Sequence, residues 1–306
     1  MIIDESKIAV NVRGHADNHN ARKRYVISEG TTVIDEPLEF PDDSAVIGAG
    51  IGRSIIDATA VDGVAIFAPG GQSIMDGFTV LGNGNPGTVG IQSDNDHRLY
   101  NANWGKVCVR NFAIGINMVV TLRGAYFNQF DVLRTQACDI GLNLDGEISR
   151  FFYSASNIGA HFADNCGVAL RINGPSRITI GSIQYEICGT AVQAVTGGPL
   201  NIAGGGIEGD NDNLDSIDFD IGDSFGGLTY LGSTDVYNRV LNDSPNRSTI
   251  ILPSRTRAQT LETYGRIIMN SSYYGSGMGP VVAAPNDTRY ILGVDNNGNV
   301  TATVTQ

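Results

Sequence analysis

Three carboxylates are spaced in this sequence as if to act together: Asp164, Glu186 and Glu208, each 22 residues from the next. Pairs of carboxylates are the machinery of glycoside hydrolysis, held about 5–5.5 Å apart in retaining enzymes and about 6.5–9.5 Å apart in inverting ones. Residues so distant in sequence meet only if the chain returns upon itself with that period. Glu186 stands within "IQYEICGTAV", Ile183–Val192, which otherwise reads as buried strand. If such strands stack in parallel, neighbouring acids lie about 5 Å apart and the outer two about 10 Å. The column then suits either stereochemistry, with Glu186 and Glu208 as the pair best placed and Asp164 as the third member. Crowded carboxylates also raise one another's pKa, which keeps one of them protonated as a general acid. The structural alternative is a coil corner, where acids accept backbone N–H bonds.

Aromatic side chains offer sugar rings a flat apolar face. The richest run is "RFFYSASNIGAHF", Arg150–Phe162, with Tyr185 nearby. Phe152, Tyr153 and Tyr185 are therefore expected to contact substrate, with core filling as the competing role, and His161 to contact it as an acid or base, with a hydrogen-bonded structural residue as the alternative. The pair His15 and His19 in "HADNH" has metal-ligand spacing on a helix, but Gly14 and the surrounding asparagines favour a solvated loop. "RKR", Arg22–Arg24, is too short a basic run for nucleic acid. Cys108, Cys138, Cys166 and Cys188 lack CxxC or Cys/His spacing and read as buried free thiols. No metal or cofactor is expected.

The elements that must position these residues are visible as a repeat. Val64–Ile66, Val89–Ile91, Ile114–Ile116, Ile140–Leu142, Val168–Leu170 and Thr190–Val192 each set two outer residues, mostly branched, around Ala or Gly, at steps of 25, 25, 26, 28 and 22 residues. The alternation is that of strands. A strand returning at so long a period, with no helical pattern between copies, predicts a solenoid, and specifically an all-β, right-handed parallel β-helix. A second register, "SIIDA" with "SIMDG" and "ITIGSIQYE" with "NIAGGGIE", gives two visible strands per coil, and three of the cysteines recur at one position as a ladder. A β-sandwich or jelly roll is less consistent, since its turns recur every 8–12 residues.

Composition agrees and excludes other classes. The 39 glycines and single Trp in 306 residues suit a turn-rich β protein. A net charge of -12 argues against nucleic acid and suits a neutral or basic sugar surface. The N-terminus carries no signal-peptide pattern, and no apolar run is long enough to span a bilayer, so neither secretion by that route nor membrane insertion is expected.

The expected organisation is an N-terminal cap or attachment segment at 1–45, a β-helix at 46–232, and a small β-rich C-terminal region at 233–306 with an Asn297-Gly298 hairpin signal. "GTTVIDEPLEFPDDSAVIGAGIGRSIID", Gly30–Asp57, resembles the start of the pectin-lyase-like β-helix of bacteriophage tailspikes, and "NIAGGGIEG" and "YILGVDNNGNV" resemble later tailspike segments. The Gly-Asp-Gly leader and amphipathic helix of many such proteins are absent, as are the Gly-His-Gly and Arg-Ile-Lys signatures of polygalacturonases. The resemblance implies a homotrimer on the virion tail, made in the host cytoplasm. It also implies contact with other tail proteins and with a bacterial surface polysaccharide that is bound and often cleaved. A non-catalytic receptor-binding spike and a structural virion protein are the alternatives. With few large apolar residues of its own, 233–306 is expected to find its core in other subunits, as a trimerisation region.

Overall fold

Branched residues that recur once per coil can bury themselves only against their own counterparts in neighbouring coils, and the chain is arranged accordingly. A computed structural model describes residues 24–93, 99–120, 125–146, 153–174, 176–208, 217–225, 228–230, 233–234, 239–242, 249–252, 260–263, 266–269, 281–283, 289–294 and 300–305. It is an all-β solenoid. Ten strands of one sheet, from Leu38–Glu39 to Thr260–Thr263, are stacked in parallel. The repeat seen in the sequence is the register of this sheet: Ile66, Ile91, Ile116, Leu142, Leu170, Val192 and Phe219 pair in succession. All seven are fully buried, forming one apolar ladder up the interior.

The second parallel sheet carries two strand runs per coil. These are separate in early coils, as Ile74–Asp76 and Phe78–Leu81, and again later, as Leu200–Ile202 and Gly205–Glu208. In between they fuse into Asn103–Arg110, Gln129–Gln136, Tyr153–Asp164 and Ser176–Glu186. Each coil therefore has three runs, one more than the sequence pattern displayed. The fused strands bend where two successive residues avoid the core, such as Gly105 and Lys106 between buried Trp104 and Val107. A Cβ on Gly105 would meet the carboxylate of Asp76, so a larger residue at that bend would have to displace the Asp76 side chain.

At the end of the fused strands the chain turns sharply through one left-handed residue: Asn111, Ala137, Asn165 and Ile187, with φ of 62°, 51°, 52° and 54°. Asn tolerates this conformation, whereas Ala and Ile adopt it at a cost of about 1–2 kcal/mol each. The next coil offsets that cost through the N–H groups of Ala137, Asn165 and Ile187, which donate to the carbonyls of Asp164, Glu186 and Glu208 at 2.9, 3.0 and 3.2 Å. Immediately after the turn, Phe112, Cys138, Cys166 and Cys188 point inward and are buried. Three cysteines thus stand in one ladder, as unpaired thiols donating to the carbonyls of Gln136, Asp164 and Glu186. Cys108 lies off that ladder, within Asn103–Arg110.

Both expected boundaries shift. Arg24–Val26 pairs with Ala45–Ile47, and Gly30–Val33 with Ser54–Asp57, so the solenoid begins by Arg24 and residues 24–45 belong to it. Parallel pairing also passes residue 232 and reaches Arg266–Met269 against Thr249–Leu252. Short backbone ladders persist there after the side-chain repeat has faded. Val281–Ala283, Arg289–Val294 and Val300–Thr305 then form an antiparallel three-stranded sheet. Asn297 and Gly298 fall between its last two strands and outside the described residues. Among the described residues no helix is long and apolar enough to cross a membrane.

Leu142→Ala removes a fully buried side chain between Ile116 and Leu170. It is expected to lower unfolding free energy by about 2–5 kcal/mol in a denaturant titration. A loss below about 1 kcal/mol would show that the interior ladder is not a packed core.

Candidate functional site

The register decides whether the three acids meet. Gln136 pairs with Asp164, Asp164 with Glu186 and Glu186 with Glu208, so the carboxylates occupy three successive rungs. Below them the same column continues through Arg110 to Leu81. The residues preceding the acids, Ala163, Tyr185 and Ile207, are buried, and period-two alternation turns the acids outward. Asp164 is half-buried; Glu186 and Glu208 are exposed.

Two glutamine side chains stitch the column together. Gln136 Nε2 donates to Asp164 Oδ2 at 2.8 Å. Gln184 Nε2 donates to Glu186 Oε1 at 3.4 Å and to Glu208 Oε1 at 3.1 Å. One amide nitrogen thus reaches both glutamates, and their two oxygens lie no farther apart than those bonds laid end to end. That limit admits the retaining spacing of about 5–5.5 Å and reaches only the lower edge of the inverting range, about 6.5–9.5 Å. Asp164 and Glu208, two rungs apart, are separated by about 10 Å. Among the described residues no Lys or Arg forms an ion pair with these acids.

A parallel outward column runs beside the acids through Arg134, Phe162 and Gln184. Phe162 is 37% exposed and Ile187, next to Glu186, is 54% exposed, giving the acidic ladder an apolar flank. Phe162, Gln184 and Ile187 were not singled out from the sequence. The signal was present for two of them, since Phe162 shares strand parity with Asp164, and Gln184 with Glu186.

The same parity corrects two expected substrate contacts. Tyr185 and His161 have no exposed surface and point into the coil, where a glycan on the outer face does not reach them. Instead they form an interior chain: His161 Nδ1 lies 2.9 Å from Tyr185 Oη, and His161 Nε2 3.3 Å from Thr135 Oγ1, with the two rings edge to face at 5.2 Å. Burial holds the His161 pKa down at about 4 and pushes the Tyr185 phenol well up, so both are neutral. Tyr153 opens the strand Tyr153–Asp164, against Ala125 and Ser176. Phe152 lies outside the described residues, as do His15, His19, Arg22 and Lys23. Beneath the acids, the neighbouring Cys166 and burial push the Cys138 and Cys188 thiols well above their ordinary range. Among the described residues no cluster of three or more His, Cys, Asp or Glu is arranged to hold a metal ion.

A cavity of about 290 Å³ lies elsewhere on this sheet, lined by Asp76, Gly105, Lys106 and Asp131. Asp76 is committed there to the backbone N–H of Lys106 at 2.7 Å, so the cavity has less unengaged chemistry than the open ladder.

No family model, curated protein or solved structure matches the chain.

Buried neutral His161 has a folded pKa below its unfolded value of about 6.5. Its contribution to stability is therefore fully present above pH 6.5 and is lost progressively as pH falls towards 4. Denaturant titrations at pH 7 and pH 5 should show the wild-type losing about 2 kcal/mol more than His161→Phe between those pH values. Equal losses would mean that His161 is not held neutral.

Proposed function

We propose that this protein is a tailspike-like solenoid that binds a bacterial surface polysaccharide on the face carrying Asp164, Glu186, Glu208 and Phe162, and hydrolyses it with Glu186 and Glu208. The observation that carries the proposal is the bridging of two exposed glutamates on successive rungs by Gln184. Like charges directly opposite one another destabilise a sheet. A corner chosen for stability alone would not favour two glutamates there, whereas a retaining hydrolase needs a carboxyl pair at that separation.

In the first step one glutamate, protonated, delivers its proton to the glycosidic oxygen while the other attacks the anomeric carbon, forming a glycosyl ester and releasing the leaving sugar. In the second, the deprotonated glutamate takes a proton from water, whose oxygen attacks the same carbon, breaking its bond to the ester oxygen and releasing the sugar and the nucleophilic carboxylate. Gln184 bridges one oxygen of each group, and Phe162 offers a sugar ring an apolar face. The chain's own carboxylates supply both proton transfers.

A second reading is favoured by one specific observation. Both glutamates are exposed, and neither is enclosed by the apolar surroundings that commonly keep a general acid protonated. A spike with the same face would then hold the glycan without cleaving it. In either case the protein is inferred to be a homotrimer on the virion tail, docked to other tail proteins. Support comes from the tailspike-like segments at Gly30–Asp57 and Asn201–Gly209 and from a C-terminal region with few large apolar residues.

Incubation with host polysaccharide should release reducing ends. Glu186→Gln and Glu208→Gln should each lower that rate by about 10²–10⁴ while leaving glycan affinity nearly unchanged. Bound glycan recovered at its original length decides for the non-catalytic spike; failure to bind any polysaccharide sinks both. Light scattering should return three times the chain mass, and a stable monomer at micromolar concentration would refute the trimer.

A further inference from the structure

The face that carries the acidic ladder is electrically divided along the solenoid axis. Its upper coils present Asp164, Glu186 and Glu208. The two coils below present cations on the same outward columns: Arg110 stands one rung beneath Gln136, and Arg134 one rung beneath Phe162. Lys106, on the same strand as Arg110, is also exposed. Arg134 is exposed and Arg110 half-buried. Among the described residues neither guanidinium takes part in an ion pair or side-chain hydrogen bond, and Arg110 Nε is a buried donor with no acceptor.

Two unpaired guanidiniums on adjacent rungs, in neighbouring columns, repel each other, and a buried donor without an acceptor is costly. Gln136 and Asp164, next in the column, are engaged with one another and leave Arg110 unserved. An anionic group lying between Arg110 and Arg134 relieves both penalties, because the planar fork of arginine matches the two oxygens of a carboxylate or phosphate. Stacked coils repeat at about 4.8 Å, so Arg134 lies about 10 Å and Arg110 about 14 Å along the axis from Glu186. Phe162 lies between, as a surface for the intervening sugar.

We propose that Arg110 and Arg134 form an anion subsite of the acidic face, and that the polysaccharide bound there is acidic, bearing a carboxylate or phosphate a short distance along the chain from the bond addressed by Glu186 and Glu208. The inference rests on the glycan-binding reading above and deepens it. It also reverses the expectation drawn from the net charge of -12. Charges beyond about 8 Å are screened at physiological ionic strength, so for a ligand in contact with the pair of guanidiniums they outweigh Glu186 and Glu208, two and three rungs above Arg134, while Asp164 is engaged by Gln136.

The experiment uses the intact protein and a panel of bacterial surface polysaccharides in three forms: native, carboxyl-reduced by carbodiimide and borohydride, and dephosphorylated with hydrofluoric acid. A polysaccharide bound in native form should lose about tenfold or more in affinity after one of the two treatments, and the effective treatment identifies the anion. Arg134→Gln should weaken binding of the native polymer to a similar extent and leave the neutralised polymer unaffected. Arg110→Gln should behave alike; being half-buried it is checked by thermal melting, and the exposed Arg134 variant carries the test if it unfolds. Equal binding before and after both treatments, or equal weakening of native and neutralised polymers by Arg134→Gln, overturns the anion subsite alone. If no polysaccharide binds in any form, the glycan-binding reading fails and takes the subsite with it.

Discussion

The whole site depends on one constraint: each coil must satisfy its backbone N–H and C=O groups on the coil before and the coil after. In a parallel ladder that requirement fixes register to the residue, because a slip of one reverses every side chain between interior and solvent. Here a slip by one at Tyr153–Asp164 would bury Asp164 and expose Ala163. The left-handed turn residues strengthen the lock. Ala137, Asn165 and Ile187 donate to the carbonyls of the three acidic residues themselves, so the corner that holds each carboxylate is tied to the corner below.

Stacking like positions on one another has opposite consequences inside and outside. Inside, it is favourable: Ile116, Leu142 and Leu170 meet as apolar neighbours, and Cys138, Cys166 and Cys188 as small, polarisable ones. Thr135, His161 and Tyr185 meet their buried polar needs by pairing with one another across successive coils. Outside, the same stacking crowds charges of one sign. Gln136 and Gln184 temper that crowding by placing amide donors against the carboxylates. Among the described residues, the guanidiniums of Arg110 and Arg134 receive no such compensation. The division of the face into a served acidic half and an unserved basic half is a property of the columns, and net charge conceals it.

A solenoid also explains why the candidate chemistry is open to solvent. A barrel or sandwich closes around its ligand, whereas stacked coils offer ladders on a nearly flat exterior, and concavity arises only where bends or loops stand proud. The cavity lined by Asp76, Gly105, Lys106 and Asp131 lies at such a bend. Ligand contacts along the ladder must instead come from side chains that lie along the axis, and a linear polymer is the ligand whose shape suits them.

Much of this was determined by the sequence itself. The recurrence of a branched–small–branched triplet required stacked parallel strands, and the 22-residue spacing of Asp164, Glu186 and Glu208 equals the step between the coils that hold them, so their column was legible before any coordinates. The cysteine ladder was legible for the same reason. Which face each residue takes was less so. Tyr185 and His161 looked like ligand contacts, yet the bends at Gly159 and Gly181, where two successive residues avoid the core, reset the alternation and turn both inward. Phe162 and Gln184 emerge on the outer face by the same reset. The pairing that runs forward to Met269 was likewise invisible, because backbone pairing needs no side-chain repeat, whereas Gly30–Asp57, by its resemblance to a β-helix start, signals the coil before residue 46. Periodicity is a local property that a sequence carries; the bends that convert it into inside and outside arise only when coils pack, and there the tertiary structure alone decides.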